Sequence, residues 1–274
     1  MELALITGTN GFIGKNLYNR LIETHEVFEL NEDIINYHDD WVKLLEDKLH
    51  TMNPDVIFHV GACSDTLETN VNYIMERNFE STKILCDYAY KKEIPFIYSS
   101  SAANYGTNGL YPSNLYGWSK YVAEQYVLKS EGICLRYFNV YGPHENNKGK
   151  MASVAYQMIE KNKNGQEIKL FPGNPKRDFV YVNDIVSANI FAYENFYKLP
   201  NLTPYEVGSG EARTFEDVLN ILDLPYTYHP EKEIPQGYQF YTKSEKKHWM
   251  SGWEPKYNLE KGLKEYKEWI NQKL

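Results

Sequence analysis

The stretch Leu3-Ala4-Leu5-Ile6-Thr7-Gly8-Thr9-Asn10-Gly11-Phe12-Ile13-Gly14 decides how the rest of the chain is read. A short apolar run of strand length meets three glycines at intervals of three, and a helical pattern follows to about Glu23. Gly8 permits a tight turn, Gly11 lets backbone approach a pyrophosphate, and Gly14 lets the helix pack on its strand. The amide-rich start of that helix, around Phe12 and Ile13, then faces the anion. A glycine triplet alone is a weak signal, but between a strand and a helix it reads as a dinucleotide-binding turn.

Outward from this turn, the apolar runs Val27–Leu30, Val56–Val60, Pro95–Ser99 and Ile133–Phe138 alternate with helical patterns over 40–52, 73–91 and 115–129. Strands alternating with helices at this interval predict right-handed βαβ units and a parallel sheet covered on both faces. The fold class is therefore α/β, a Rossmann-type doubly wound sheet with a smaller, interleaved C-terminal lobe. Beyond Tyr141 the pattern weakens to a helix (Met151–Asn162), a strand (Ile168–Phe171) and a strand–helix (Phe179–Phe196), and from Thr203 prolines become frequent. The expected division is residues 1–140 for the dinucleotide domain, with 179–200 returning to it, and residues 141–178 and 201–274 for a substrate lobe.

Composition agrees with an enzyme of this kind. The 274 residues carry 29 basic and 37 acidic side chains, a net charge of −8. That balance argues against nucleic acid as a partner, and no apolar run approaches the roughly 20 residues of a membrane span. Cys63, Cys86 and Cys134 cannot all pair within one chain and show no metal-ligand spacing, so reduced thiols and no metal are expected. The N-terminus enters a strand at once, with no basic region or cleavage site, and a cytoplasmic protein is expected.

An acidic residue at the end of the second strand, about 20 residues past the first glycine, is needed to hold the adenosine ribose. Glu29 stands 21 residues after Gly8 and takes that role in the sequence. Between Glu29 and Trp41 His38 is the single residue able to carry positive charge, against Glu32, Asp33, Asp39 and Asp40, a field that repels a 2′-phosphate. Of NAD and NADP, this favours NAD.

Tyr116-Gly117-Trp118-Ser119-Lys120 opens a helix and puts a phenol and an ammonium on one face. A phenol ordinarily titrates near pH 10, and a lysine one turn away together with a positive nicotinamide would bring that down to a usable base. Upstream, Ile97-Tyr98-Ser99-Ser100-Ser101-Ala102-Ala103-Asn104-Tyr105-Gly106 ends a strand with three hydroxyls, at the carboxyl edge of the sheet where ligands bind.

With these segments in place the chain resembles the extended short-chain dehydrogenase/reductase family of nucleotide-sugar epimerases and dehydratases over essentially its whole length. The resemblance implies that Tyr116 is the acid/base, Lys120 holds the nicotinamide ribose, and Ser101, with Ser100 as its neighbour, polarises the reacting oxygen. His59-Val60-Gly61-Ala62-Cys63-Ser64, Arg136-Tyr137-Phe138-Asn139-Val140-Tyr141-Gly142-Pro143, Lys148-Gly149-Lys150-Met151-Ala152-Ser153 and Lys176-Arg177-Asp178-Phe179-Val180-Tyr181 stand in one order, and Gly237-Tyr238-Gln239 follows. Together they are similar to the ADP-heptose 6-epimerase branch. It implies a second acid/base group at Lys148, and a cofactor lined by Val60, Gly61, Ala62, Cys63, Ser64, Asn78 and Val140. The substrate contacts it implies are Asn139, Lys150, Phe171, Asn174, Arg177 and Tyr238, with Arg177 on the diphosphate. A homo-oligomer built on the helix of Tyr116 and the residues near Asn78 is likewise implied.

Three departures qualify the likeness. The segment after the second strand is short, acidic and without the lysines that hold NADP in that branch. Lys150 and Gln157 replace a serine and a histidine. An alternative is therefore a net reductase of nucleotide 4-keto sugars, or a 4-epimerase, using the same Tyr116, Lys120 and Ser101. A dehydratase would want an Asp-Glu pair where Ala102-Ala103 stands, and a non-catalytic relative would not need the acid/base set. His59, in an apolar strand, is expected to be a satisfied core histidine, and His144 a weaker acid/base candidate at the pocket edge.

Overall fold

The computed structural model describes residues 1–31, 33–37, 39–107, 109–234 and 238–272. In chain order the elements are β1 (Leu3–Thr7), α1 (Phe12–Leu21), β2 (Glu26–Leu30), α2 (Asp33–Tyr37), α3 (Trp41–Met52) and β3 (Val56–His59). Then come α4 (Val71–Met75), a π-helical turn (Glu76–Glu80), α5 (Ser81–Lys92), β4 (Phe96–Ser101), α6 (Leu115–Lys129), β5 (Ile133–Tyr137), β6 (Asn139–Tyr141) and α7 (Val154–Lys163). The chain closes with β7 (Lys169–Leu170), β8 (Lys176–Tyr181), α8 (Val182–Glu194), β9 (Tyr205–Val207), β10 (Ala212–Thr214), α9 (Phe215–Leu222), β11 (Thr227–Tyr228) and α10 (Leu259–Gln272).

Six strands form one parallel sheet in the order β2-β1-β3-β4-β5-β9. The order reverses between β1 and β3, and that reversal opens a crevice beyond their carboxyl ends. Side chains alternate across the sheet. Ala4, Ile6, Phe58, Ile97 and Leu135 pack toward α1 and α8, whereas Leu5, Ile57, Phe96, Tyr98 and Cys134 pack toward α3, α5 and α6. Each fully buried Leu, Ile or Phe among them contributes about 1.5–3 kcal/mol on burial. A one-residue slip of β1 would exchange Leu5 and Ile6 between the two faces and upset their packing against the helices on either side.

A second sheet, β10-β8-β6, and the two-stranded pair β11-β7 build the smaller lobe, whose core is filled from α7, α9 and α10. Tyr205–Val207, placed by the sequence in that lobe, is instead the sixth strand of the large sheet, paired with Leu135–Tyr137. The helix expected from Met151 starts later, at Val154, because Ser153 is extended (ψ 156°) and its hydroxyl caps the Tyr156 amide. The two lobes are tied at Asp178 in β8. This buried carboxylate accepts from the amides and hydroxyls of Ser209 and Ser244 and from the Gly210 amide, at 2.6–3.0 Å.

Candidate active site

The glycine turn has the geometry its spacing predicts. Gly8 has φ +72°, and a side chain there would run into Gly61 Cα at 2.6 Å, so the turns after β1 and β3 lie against each other. A side chain at Gly14 would come to 2.1 Å from the Gly8 carbonyl, so α1 can start this close to β1 only with glycine. Gly11 caps α1 with no side-chain bond, leaving the first helical amides aimed outward for an anion.

Over this turn lies a cavity of about 630 Å³. It is lined by Gly8, Gly11, Phe12, Ile13 and Gly14 from the turn, and by Val60, Gly61, Ala62, Cys63 and Ser64 after β3. Leu30, Ile34, Ile35, Leu45 and Leu85 make an apolar end. The glycine cradle, the uncapped helix start and this apolar end fit a nicotinamide dinucleotide.

One expected contact is corrected. Glu29 lies exposed on β2 and is not among the residues lining the cavity. β2 is the edge strand, and Leu30, paired with Thr7, turns inward in its place. Asn31 is the polar residue at the strand end, and its Oδ1 accepts from Thr9 Oγ1 and the Asn10 amide, both at 3.2 Å. Arg77 was not foreseen and also lines this end. Its guanidinium lies 3.7 Å from the Tyr73 ring centre and 3.7 Å from Glu76, and it donates to Asn36 Oδ1. Glu32 and His38, counted in the local charge, lie outside the described residues, as does Gly237.

Cys63 and Asn78 belong together. In the π turn, the Asn78 amide accepts from the Cys63 N–H at 2.7 Å and donates to the Cys63 carbonyl at 2.9 Å and Ser119 Oγ at 2.8 Å. Asn78 therefore stitches the wall after β3 to α6, and burial pushes the Cys63 thiol up, away from reactivity. His59 is a core residue. Thr82 Oγ1 donates to the Asn78 carbonyl, so it accepts from His59 Nε2. Nδ1 then accepts from Thr7 Oγ1, which itself receives the Val60 and Gly61 amides. Burial, with Lys120 nearby, lowers its pKa to about 3.

Tyr116 and Lys120 lie in the first turns of α6, capped by Asn114 Oδ1 on the Gly117 amide at 2.8 Å. Gly117 lets the helix touch the 3-10 turn Ala102–Tyr105, since a Cβ would reach the Ala103 carbonyl at 2.8 Å. That contact sets the turn that Ser101 caps against the start of the helix that carries Tyr116. Burial raises the Tyr116 pKa, and the neighbouring Ser101 hydroxyl works against the rise. Ser100 is turned away and donates to Glu124 Oε2 at 2.6 Å. Lys120 is buried with its ammonium 4.3 Å from the Tyr98 ring centre, and burial lowers its pKa to about 7.

Lys148 enters the cavity over the glycine turn from the 3-10 segment after Glu145, with its ammonium 5.5 Å from the Phe12 ring centre; Ser101, Tyr116 and Lys120 are not among the residues lining that cavity. Burial lowers its pKa, opposed by Glu145. Glu145, also unforeseen, anchors this segment by accepting from the Gly142 amide and from the Ser153 amide and hydroxyl. Lys150 is exposed and Val140 half-buried. His144 packs edge-on against Trp269 at 5.2 Å and does not line the cavity.

The remaining expected substrate residues gather in the smaller lobe. Arg177 is buried between the rings of Phe215 and Tyr238, 5.4 and 5.5 Å from their centres. It donates to the carbonyls of Lys176 and Gln239, and no carboxylate among the described residues is within ion-pair reach of it. Phe171 stacks on His229 at 4.9 Å and meets Tyr238 edge-on at 5.2 Å. Asn174, with φ +51°, and Asn139, whose Oδ1 accepts from Thr242 at 3.1 Å, are exposed nearby. A buried guanidinium without a carboxylate partner, beside the half-buried rings of Phe171 and Tyr238, suits a diphosphate joined to a planar base.

Among the described residues no cluster has the make-up of a metal site, and no helix is long and apolar enough to cross a membrane. The model of the NAD dependent epimerase/dehydratase family matches residues 4–208. An ADP-L-glycero-D-manno-heptose-6-epimerase of Brachyspira hyodysenteriae is 34% identical, over 97% of each chain. Among solved structures, the Helicobacter pylori ADP-L-glycero-D-manno-heptose-6-epimerase superimposes with TM-score 0.81 at 29% identity, over 98% of this chain and 96% of that one. The Thermotoga maritima UDP-glucose 4-epimerase, solved with UDP-glucose, gives 0.84 at 26% identity over 99% of each.

Proposed function

This chain belongs to the NAD dependent epimerase/dehydratase family, and on that footing we propose that it is an ADP-glycero-manno-heptose 6-epimerase that retains its cofactor. The observation that carries the reading is the presence of Lys148 in the same cavity as the glycine turn. An epimerase must reach both faces of a flat ketone, either with an acid/base group for each or by turning the intermediate over beside one, and Lys148 supports the first of these; a net reductase needs only one group.

A nicotinamide dinucleotide held over Gly8, Gly11 and Gly14 and against Val60–Ser64 would supply the reversible oxidation at carbon 6. Ser101 orients the reacting oxygen beside Tyr116, and Tyr116 takes or gives the hydroxyl proton on one face. The Lys120 ammonium stabilises the phenolate from below. Lys148, its basicity reduced by burial, exchanges the proton on the other face. Arg177 holds the diphosphate, with Phe171, Asn174 and Tyr238 around the nucleotide and Asn139 and Lys150 toward the sugar.

NAD is proposed over NADP. Asp33, Asp39 and Asp40 stand in the segment after β2, whose Ile34 and Ile35 line the cavity, and the charge of Arg77 is already engaged by Glu76, Asn36 and Tyr73. A homo-oligomer is proposed through α4 and α6, where Val71, Trp118 and Val122 are exposed apolar residues. The free thiols and a nucleotide-sugar substrate suit the cytoplasm.

Proton NMR of the protein mixed with ADP-D-glycero-D-manno-heptose, with no cofactor added, tests the reading. A second set of heptose signals at constant nicotinamide absorbance supports it. An unchanged sugar overturns the heptose assignment, and NADH-dependent reduction of a nucleotide 4-keto sugar becomes the reading to pursue.

A further inference from the structure

Below the Ser101–Tyr116 contact lies a fully buried carboxylate that the reaction as described does not use. Glu124 stands on α6, one turn beyond Lys120 and two beyond Tyr116, with no exposed surface. Glu124 Oε2 accepts from Ser100 Oγ at 2.6 Å, from Asn104 Nδ2 at 3.1 Å and from Arg136 Nε at 2.8 Å. Oε1 takes Arg136 Nη2 at 2.6 Å. The Arg136 guanidinium in turn lies 4.6 Å from the Tyr105 ring centre.

Ser100 is the residue just before Ser101, and Asn104 lies in the short turn that Ser101 caps through its own bond to the Ala103 amide at 3.1 Å. Asn104 also donates to Ser100 Oγ at 3.1 Å. The backbone on both sides of Ser101 is thereby fastened to one carboxylate, and that carboxylate rides on the helix that carries Tyr116. Taken with Gly117 at the Ala103 carbonyl, the turn and the helix meet at two points, one on each side of the reacting pair. A buried ion pair is costly to form and gains little stability over an apolar replacement, whereas a charged acceptor with four donors fixes directions closely.

We propose that Glu124 is a positioning residue that sets the Ser101 hydroxyl against Tyr116, acting through Ser100 and Asn104. The inference rests on the proposed role of Tyr116 and Ser101. It differs from support by charge alone, because Glu124 also faces Lys120, as do Tyr98, Cys134 and His59 from the sheet. A through-charge role would act on Lys120 and be independent of Ser101.

A double-mutant cycle between Glu124→Gln and Ser101→Ala separates the two. The readouts are kcat and KM at a temperature where both variants are folded. Glu124→Gln alone is expected to lower kcat about tenfold with KM changed less than about threefold, and to have no further effect in the Ser101→Ala background. Glu124→Asp is expected to recover part of the loss. Independent, multiplying effects, or an unchanged kcat, overturn the proposal. If Glu124→Gln does not fold, Ser100→Ala and Asn104→Ala replace it in the same cycle, with the same two outcomes.

Wild-type turnover of ADP-D-glycero-D-manno-heptose is the control for the reaction itself. Should wild type be inactive, the cycle is read instead from ultraviolet titration of the Tyr116 phenolate with NAD⁺ present, each variant against its Tyr116→Phe partner. Glu124→Gln should then raise the Tyr116 pKa only while Ser101 is present. An equal change with and without Ser101 overturns the positioning role whatever the substrate.

Discussion

The Lys120 ammonium lies 4.3 Å from the centre of the Tyr98 ring, in the interior of the sheet's α6 face, and burial brings its pKa from an ordinary 10.5 to about 7. A cation–π contact returns only part of the cost of burying the charge. The folded protein therefore binds the Lys120 proton more weakly than the unfolded chain does.

The sign follows from linkage. Between pH 7 and 10.5 the unfolded state carries more protons at this site, so stability rises with pH, by up to about 1.4 kcal/mol per pH unit. Lys120→Met should lack that slope, unfold at higher denaturant than wild type at pH 7, and lose turnover about a hundredfold or more. Urea titrations of both proteins at pH 7 and 9 measure it. Equal slopes would show that Lys120 keeps its proton in the fold.

Tyr116→Phe removes the acid/base hydroxyl and leaves the glycine cradle untouched. Turnover should fall about 10²–10⁴-fold, with cofactor still co-purifying. Retained turnover would move the proton chemistry to another group.

Gly117→Ala gains about 1 kcal/mol of helix propensity but sets a methyl group 2.8 Å from the Ala103 carbonyl and 2.9 Å from Pro112. We expect kcat to drop about tenfold as α6 and the Ser101 turn part. A protein that is more stable and fully active would mean the contact relaxes without moving Tyr116.

Arg177→Gln should raise KM for the ADP-sugar about 10–100-fold with a smaller change in kcat, since a charge-assisted diphosphate contact contributes to binding throughout the reaction. Competition by free ADP, compared between variant and wild type, reads the same loss without turnover.

At the adenosine end, Glu29→Ala should leave NAD⁺ affinity within about twofold, because that side chain faces solvent. Asn31→Ala should weaken it severalfold. Calorimetric titration distinguishes the two residues, and the reverse order would restore Glu29 as the ribose partner.

The alternation of strands and helices was legible because each core strand is apolar on both faces, and the glycine turn because its spacing has a single steric solution. Glu29 was misplaced for a reason that is also physical. On an edge strand, with Glu26, Phe28 and Glu29 all exposed, the sequence carries no alternation to say which residue turns inward, and Leu30 does so because it meets the core. β9 escaped assignment because three residues are too few to show a period. Arg77 and Glu145 carry no local signal; their roles depend on neighbours distant in sequence. Glu124 did carry one, eight residues past Tyr116 on the same helical face, and the spacing that picked out Lys120 extends to it.

The Asp178 junction bears on how far the smaller lobe can be separated from the rest of the fold. The match to the family model ends at residue 208, yet every donor to the buried Asp178 carboxylate comes from Ser209, Gly210 and Ser244. A chain trimmed to the segment that the family model covers would keep Ser101, Tyr116, Lys120 and Lys148 and lose all of those bonds, stranding a carboxylate next to β9. The last quarter of the chain is thus free to diverge in what it recognises, but not free to be absent. Diversification of the outer lobe has to proceed by exchanging residues around a fixed knot, and exchange of the lobe as a separable module is closed to it.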